Sequence, residues 1–344
     1  MIPIISDKLL ATLKSPSGTT TYGMELASDG LSCRDTGKIY PHVRGVPALF
    51  QPSEGDREDI TSRVQSFYEA NPFPNYDGVE DFGQLVKKGQ SNPFTATLLD
   101  SIGYNKLILE CGCGTGQLTH FLQCNNNHVL GIDMSLSSLS LAMGHKNSNQ
   151  LARASFAQMN IFNLALRDQS YDVVISHAVL HHTYDAHKAF KQIARKVKLG
   201  GIIMVGLYNW YARVPTWLRS KAIGLLGPQV DYVVRNRIRD ARKADIWIKD
   251  QYHNPHETWH SIDEVLGWFR EEGVTYLNCS PPILGTDAEN IKGLFVQTDP
   301  GNAYQRFVTQ LGWLGSIARE GALFDMIGRR AADPKPEKMS EIAK

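Results

Sequence analysis

The stretch that most constrains the fold runs from Leu107 to Leu122 and reads LILECGCGTGQLTHFL. Its first three residues form a short apolar run, which suits a buried strand of a parallel sheet because both faces of such a strand are covered. Gly112, Gly114 and Gly116 follow at once. Glycine tolerates a positive φ and has no Cβ, so it allows a tight turn whose backbone comes close to a ligand. Strand, glycine turn and helix together predict a nucleotide-type pocket at the carboxyl edge of a parallel sheet.

Polar residues end three later apolar runs and should lie at the same edge of the sheet. The run from Val129 closes on Asp133, roughly 20 residues after the glycine turn, which is the spacing of a ribose-binding acid. A third run ends at Asn160, and a fourth ends at Ser176 and His177. The turn lacks the last glycine of the dinucleotide fingerprint, so the three glycines alone do not identify the ligand.

Taken in order, the segments LECGCGTGQLT, VLGIDMS, AQMNIF and SYDVVISHAVLHHT resemble the successive motifs of class I S-adenosylmethionine-dependent methyltransferases. The resemblance implies an α/β fold with a Rossmann-like seven-stranded sheet, whose core covers residues 105–208. It also implies S-adenosylmethionine as the cofactor and S-adenosylhomocysteine as the product. No N-P-P-Y or D-P-P-Y tetrapeptide follows the fourth run, which argues against the branch that methylates exocyclic amino or amide nitrogens.

The resemblance assigns cofactor contacts to residues along these motifs. Glu110 is placed for the cofactor's ammonium group, Asp133 for the ribose hydroxyls and Met134 for the adenine face. Asn160 stands where many relatives carry an acid, and its side-chain carbonyl can accept the same hydrogen bond from the adenine amino group. The predicted cofactor-binding residues are Tyr68, Glu110, Gly112, Cys113, Gly114, Thr115, Gly116, Asp133, Met134, Asn160, Ile161 and Ser176.

Composition argues against several classes of protein and against a nucleic-acid partner, without removing an RNA substrate as an alternative. A formal charge of +1 provides no global basic field to recruit nucleic acid. The five cysteines, an odd number without a repeated spacing, indicate reduced thiols and a cytoplasmic location. No apolar run approaches the ~20 residues that span a bilayer, and the first residues lack the pattern of a signal peptide. We therefore predict a cytoplasmic protein with a small-molecule substrate and no membrane partner, and the sequence leaves its oligomeric state open.

Residues 1–52 are predicted to form a small module that resembles the zinc ribbon of some methyltransferases. The closing Y-P-x-x-x-G-x-P-x-L segment is present from Tyr40 to Leu49. Three of the four ligand positions hold Ser15, Gly18 and Thr36, and only Cys33 remains. Structural zinc needs four thiolate or imidazole ligands, so we predict the ribbon shape without a metal. A plain β-hairpin extension is the alternative.

Residues 60–104 are predicted to cover the cofactor site. FYE-x-NPFPNYD resembles a segment that precedes the glycine motif in a bacterial subset of these methyltransferases. In that subset the segment folds over the cofactor, with Tyr68 and Tyr76 as aromatic walls. The alternative is that both tyrosines only seal the edge of the domain. A helix over residues 95–104 should lead into the core.

Candidate bases follow the fourth strand. His177 lies at its end, and His181 and His182 lie in the next helical turn, where at most one of the two faces the pocket. Of the adjacent pair, His181 is the predicted candidate for the base. Such histidines recur in small-molecule methyltransferases, often without a catalytic role.

Residues 209–260 are predicted to form a helical lid split at Gly227-Pro228, which shapes the acceptor site. The lid contains a basic run made of Arg235, Arg237, Arg239, Arg242 and Lys243. This run is interpreted as a solvated helix face or, alternatively, as a site for an acidic acceptor or nucleic acid. HETWH at 256–260 matches the zinc motif H-E-x-x-H, but SIDE at 261–264 is a capping box that begins a helix after the second histidine, so we predict no metal site. The stretch instead resembles a substrate-side loop of the same bacterial subset. The candidates for contacting or deprotonating the acceptor are therefore Asp250, Tyr252, His253, His256 and His260.

Residues 261–330 should complete the sheet, with strands at 274–277 and 293–297 and a closing strand in GALFDMIGRR, and residues 331–344 are predicted to be disordered. The function that this pattern favours is methyl transfer from S-adenosylmethionine to an oxygen, nitrogen or sulfur nucleophile of a small molecule. One alternative is an RNA base methyltransferase. Another is a non-catalytic partner that binds S-adenosylmethionine and regulates other proteins.

Overall fold

The computed structural model of the protein describes residues 2–17, 23–53, 55, 57–74, 76, 79–236, 241–284 and 293–334. The strands in these ranges are β1 (Met24–Ala27), β2 (Gly30–Cys33), β3 (Ile39–Val43), β4 (Val46–Pro47), β5 (Leu107–Cys111), β6 (His128–Asp133), β7 (Ala154–Gln158), β8 (Tyr171–His177), β9 (Val197–Tyr208), β10 (Val274–Ser280) and β11 (Leu323–Arg330). The helices are α1 (Asp7–Leu10), α2 (Glu58–Ala70), α3 (Phe82–Ser91), α4 (Pro93–Ile102), α5 (Gln117–Leu122), α6 (Leu136–Ser148), α7 (Ala186–Ala194), α8 (Trp210–Leu226), α9 (Tyr232–Asn236), α10 (Ala241–Tyr252), α11 (Ile262–Glu271) and α12 (Ala303–Gly312).

Seven strands form the large sheet, in the order β10-β11-β9-β8-β5-β6-β7. The strands from β5 to β9 run parallel, and β11 runs antiparallel to both of its neighbours. The parallel strands are almost wholly buried, as their continuous apolar runs predict, because helices cover both faces. This confirms the predicted Rossmann-like seven-stranded sheet. The predicted helix before β5 is also present, as α4.

One predicted strand is wrong. Residues 293–297 form a turn, because the place beside β9 in the sheet is taken by β11. Leu294 instead packs in the core beside α4, and its backbone N–H donates to Ser101 Oγ at 2.9 Å. The closing strand predicted in GALFDMIGRR is present as β11.

The N-terminal residues form a separate antiparallel sheet, with the strands in the order β1-β2-β3-β4. Cys33 is buried there, and Ser15 Oγ lies 2.8 Å from the hydroxyl of Tyr40. Within the described residues, no three His, Cys, Asp or Glu side chains come together as a metal site. The relation of this sheet to zinc ribbons stays a prediction.

The segment HETWH is not helical, and α11 begins after Ser261. Ser261 and Glu264 form the predicted capping box, in which each side chain accepts from the other residue's backbone N–H. The helical insertion is divided at Gly227-Pro228, as predicted. Most of the predicted C-terminal tail lies outside the described residues.

Candidate functional site

The glycine turn has the backbone conformation that its sequence predicts. Gly112, Gly114 and Gly116 have φ values of 77°, 52° and 80°, which L side chains rarely adopt. The close contacts that exclude a Cβ, however, are made with the protein itself. A Cβ on Gly114 would lie 2.2 Å from the backbone oxygen of Phe73, and a Cβ on Gly116 would lie 2.6 Å from the ring of Phe156. The glycines are therefore needed for internal packing as well as for a bound ligand.

The segment before the core holds this turn in place. The backbone carbonyl of Pro74 accepts a hydrogen bond from Thr115 Oγ1, and the hydroxyl of Tyr76 donates to the backbone oxygen of Thr115 at 2.6 Å. Glu69 accepts from the backbone N–H groups of Leu136 and Ser137, which satisfies two free donors at the beginning of α6. These bonds give a physical reason for an FYE-x-NPFPNYD segment to accompany the glycine motif.

Two carboxylates stand beside the turn, the buried Glu110 and the half-buried Asp133. Asp133 accepts from the N–H of Gly114 at 2.9 Å and from the N–H of Ser135 at 2.8 Å. Burial raises the pKa of Asp133, although these N–H donors oppose the shift. Burial also raises the pKa of Glu110 to about 7, while its hydrogen bond from Thr119 acts in the opposite direction. A carboxylate that accepts two hydrogen bonds still has free lone pairs, so Asp133 can accept further hydrogen bonds from hydroxyl groups.

A cavity of about 550 Å³ opens beside these groups. Its size lies in the range of small-molecule sites. Ten of the predicted site residues line it, namely Tyr68, Glu110, Gly112, Cys113, Gly114, Asp133, Met134, Asn160, Ile161 and His177. Three predicted cofactor contacts do not line it. Thr115 and Ser176 are fully buried, with Ser176 Oγ donating to the backbone oxygen of Cys111, and Gly116 packs against Phe156.

The side chain of Asn160 is engaged by neighbouring backbone. Its Oδ1 accepts from the N–H of Phe162 at 3.0 Å, and its Nδ2 donates to the backbone oxygen of Gln51 at 3.2 Å. Asn160 lines the cavity, and its contact with adenine stays a prediction.

His177 is the cavity histidine with a carboxylate partner. Its Nδ1 lies 2.7 Å from Oδ1 of Asp325, a residue of β11. Both side chains lie above Gly206 of β9, where a Cβ would be 2.5 Å from Oδ1 of Asp325 and 2.9 Å from Nδ1 of His177. The ring also stacks on Phe94, with centroids 5.9 Å apart. The absence of a side chain at Gly206 thus makes room for the pair.

The charge of Asp325 sets the protonation of His177. Burial lowers the pKa of His177, but the negative charge of Asp325 and its hydrogen bond raise it by more, and Glu110 adds to the rise. The net pKa of His177 is therefore above its ordinary value. A histidine fixed through one nitrogen by a carboxylate has its other nitrogen available as a base.

Of the adjacent histidines, His182 lines the cavity and His181 does not. The ring of His181 is fully buried against Tyr208, with centroids 3.8 Å apart, and neither of its ring nitrogens has a hydrogen-bond partner in the described part of the chain. Burial holds the pKa of His181 well below its ordinary value. As predicted, at most one of the two histidines faces the cavity, but that residue is His182 and not His181. His182 Nδ1 donates to the backbone oxygen of His256 at 3.0 Å.

Four candidates of the substrate-side loop do not line the cavity, namely Tyr252, His253, His256 and His260. Tyr252 donates to Asp231 at 2.5 Å, and His260 is held between Thr258 and Glu264. His253 lines a separate shallow surface depression, together with Ser62, Arg63, Ser66, Phe67 and Pro255. His256 contributes the backbone oxygen that His182 contacts. Nothing is described for the side chain of Asp250.

The helical insertion reaches the cavity through other residues. Trp247 and Gln251 of α10 line it, and so does Tyr208 at the end of β9. Arg213 of α8 is almost fully buried over the ring of Tyr208, at 3.8 Å from its centroid. The guanidinium donates to the carboxylate of Glu257 and to the side-chain and backbone oxygens of Gln251. This arginine therefore ties the insertion, the substrate-side loop and the cavity wall together.

Sequence reasoning did not find Asp325, Gly206, Arg213 or Gln251. Asp325 lies 148 positions from His177 along the chain, and no local pattern joins the two. Of the basic run, Arg235 is exposed, whereas Arg237 and Arg239 lie outside the described residues, as do the side chains of Arg242 and Lys243. Within the described residues, no helix has both the length and the apolar character needed to cross a membrane.

The sequence matches the family described as "Methyltransferase domain" over residues 103–253. A protein of Synechococcus sp. named as uncharacterised is 26% identical over 65% of this chain and 61% of its own length. A "Probable S-adenosylmethionine-dependent methyltransferase" of Mycobacterium tuberculosis is 30% identical over 30% of this chain and 35% of its own length. The chain thus spans less than two thirds of the length of these relatives.

A ubiquinone biosynthesis O-methyltransferase of Acinetobacter baylyi is 29% identical over 51% of this chain and 70% of its own length. Among solved structures, a geranyl diphosphate C-methyltransferase of Streptomyces coelicolor covers 80% of this chain and 99% of its own, at 11% identity and a TM-score of 0.47. The family match over residues 103–253 spans the elements from β5 to α10, which contribute most of the residues that line the cavity. Residues 103–253 match a methyltransferase domain, and the relatives named for their cofactor support S-adenosylmethionine as the cofactor of this region.

Proposed function

We propose that the protein transfers a methyl group from S-adenosylmethionine to a hydroxyl group of a small molecule, with His177 as the general base. The observation that carries this proposal is the 2.7 Å contact between His177, which lines the cavity, and the buried Asp325. Methyl transfer to a hydroxyl needs a base within reach, whereas an uncharged amine or a thiolate reacts without one. The O-methyltransferase from Acinetobacter baylyi supports an oxygen acceptor by analogy.

The residues beside the glycine turn fit the cofactor. A carboxylate at Glu110 matches an ammonium group, and the free lone pairs of Asp133 match ribose hydroxyls. When it is bound, S-adenosylmethionine supplies an electrophilic methyl group on a sulfonium sulfur. The contacts of Glu110 and Asp133 with the backbone and with Thr119 fix both carboxylates in place before any ligand binds.

The chain's own groups then have separate tasks. His177 accepts the proton of the acceptor hydroxyl on the ring nitrogen that does not contact Asp325. Asp325 orients the ring and stabilises the imidazolium that forms. The apolar walls, which include Phe94, Phe121 and Leu98, exclude water from the reacting groups and strengthen these electrostatic interactions.

Incubating the protein and methyl-labelled S-adenosylmethionine with a bacterial metabolite extract tests the proposal. We expect the label in a small molecule, as an O-methyl group by mass spectrometry. His177→Gln should lower the rate about 10²- to 10⁴-fold while cofactor affinity by calorimetry stays unchanged. His253→Gln, which changes a histidine outside the cavity, is the matched control. Labelled RNA, an N-methyl product, the absence of label, or a fully active His177→Gln variant would each overturn the proposal.

A further inference from the structure

Helix α8 exposes an apolar stripe that no described part of the chain covers. Trp210, Val214, Trp217, Leu218 and Leu225 recur at spacings of three, four and seven residues, which places them on one face of the helix. All five are exposed, Leu218 by 56% and Leu225 by 88%. A surface helix of a globular protein normally turns its apolar stripe to the core. Here Ala212, Arg213 and Thr216 take the inward face instead.

Helix α12 presents a second stripe beside the first. Tyr304, Phe307, Val308 and Leu311 are exposed on one of its faces. The two helices are in contact, and the rings of Tyr211 and Phe307 lie 5.8 Å apart, edge to face. The two stripes therefore adjoin, and we call their exposed residues the apolar face. Large exposed apolar patches of this kind mark an interaction surface.

The charge around the apolar face is positive. Neither α8 nor α12 contains an Asp or Glu, whereas α8 carries Lys221 within the stripe. Residues 209–252 hold nine Lys or Arg and four Asp, although the whole chain has a formal charge of only +1. The rest of the chain is therefore acidic, and the positive charge is concentrated in the insertion.

We propose that the apolar face docks on the surface of an anionic lipid bilayer. Helices with Trp and Leu on one side and Lys or Arg nearby lie in the interface between headgroups and acyl chains. Lys221, whose ammonium lies 5.8 Å from the ring centroid of Trp217, can extend along the helix to reach lipid phosphates. The positive insertion is complementary to an anionic leaflet, which attracts clustered basic residues.

A second copy of the chain fits this face less well. In a symmetric dimer formed through α8 and α12, Lys221 of each copy would face helices without a single carboxylate. A lysine buried in that way would lack a partner of opposite charge. A bilayer leaves the ammonium group at the hydrated headgroups and removes this cost.

Docking would also place the cavity near the lipid. Helix α8 begins two residues after Tyr208, which lines the cavity, and Arg213 joins the helix to the same wall. This revises the sequence-based expectation of no membrane partner, which rested on the absence of a run long enough to span a bilayer. Docking on a bilayer needs only a stripe of apolar residues on one face of a helix.

Co-sedimentation of the full chain with vesicles tests the inference without depending on methyl transfer. We expect the protein to sediment with phosphatidylcholine vesicles that contain phosphatidylglycerol, and less with phosphatidylcholine alone. The double variant Leu218→Glu/Leu225→Glu should weaken binding about tenfold or more, because it removes apolar contact and adds negative charge. Leu199→Glu is the matched control, since Leu199 is 52% exposed at the opposite end of β9 from α8.

Calorimetry with S-adenosylhomocysteine should show that both variants still bind the cofactor product, which separates loss of docking from loss of fold. Sedimentation velocity measures self-association in parallel. Absence of vesicle binding would overturn the inference. So would equal binding by the double variant, or a dimer that the double variant disrupts while vesicle binding is unchanged.

Discussion

The two sides of the cavity are built in different ways. The side proposed for the cofactor consists of β5, β6 and the turns that follow them, and its glycines and carboxylates lie within 27 consecutive residues, from Leu107 to Asp133. The side proposed for the acceptor is built by His177, Asp325 and Arg213, which come from β8, β11 and the helical insertion. Local sequence specifies the first side, whereas only the sheet topology creates the second. The two sides should therefore respond separately to mutation.

The largest expected effect concerns the acceptor side. Arg213→Met should lower the free energy of unfolding by about 3 kcal/mol, because it leaves Glu257 and the oxygens of Gln251 without their buried partner. Chemical denaturation measures the change. Arg329→Met is the control, since Arg329 is exposed and donates to the backbone oxygen of Gly200.

The comparison predicts that the Arg213→Met variant, once folded, binds S-adenosylhomocysteine with nearly unchanged affinity in calorimetry. A loss of cofactor affinity as large as the loss of stability would contradict the separation of the two sides.

A smaller effect is expected on the cofactor side, where one substitution should raise the stability of the free protein and lower its affinity for the cofactor. Glu110 has a pKa raised to about 7 by burial, so its ionised form destabilises the folded protein above its ordinary pKa. This cost grows as pH rises from about 4.5 to about 7, stays constant at higher pH, and disappears as pH falls below the ordinary pKa of a glutamate. Glu110→Gln should therefore stabilise the free protein at pH 8, by up to about 3 kcal/mol, and have little effect on stability at pH 4.

The same substitution should weaken binding of S-adenosylmethionine, because the ammonium group loses a carboxylate. In the unchanged protein, affinity should fall as pH drops below 7, since Glu110 must lose its proton to bind a cation. Thermal melting at pH 4 and 8 measures the change in stability, and calorimetry at pH 6 and 8 measures the change in affinity. Parallel changes in stability and affinity would show that Glu110 does not act as proposed.

The limits of sequence reasoning follow from the same contrast. Asp133 could be assigned because a strand end, a spacing and a residue type coincide within one βαβ unit. The prediction of His181 rather than His182 is wrong because helical geometry shows that two adjacent residues point in different directions, but not which of them faces the cavity. Residues 293–297 have an apolar pattern that suits a strand, but β11 occupies the position beside β9, and in this segment Leu294 is buried whereas Val296 is exposed. Gly206 carries no motif, and its role becomes visible only when β8, β9 and β11 lie side by side.

The smallest expected effect tests the acceptor side without changing either His177 or Asp325. Gly206→Ala should lower the rate of methyl transfer about ten- to hundredfold. The added Cβ would lie too close to both Asp325 Oδ1 and His177 Nδ1, so the two side chains would have to move. Gly206 does not have a positive φ, so the substitution adds no backbone strain. Gly144→Ala in α6, where a Cβ meets nothing within 4 Å, is the control.

The pH profile distinguishes a loss of the pair from a general loss of packing. Asp325 raises the pKa of His177, so separating the two should move the rising limb of rate against pH to lower pH. Asp325→Asn should shift the limb in the same direction, because the amide keeps a hydrogen-bonding partner but removes the charge. A Gly206→Ala variant with reduced rate and an unmoved limb would show that the cavity wall was distorted and that Asp325 does not set the protonation of His177.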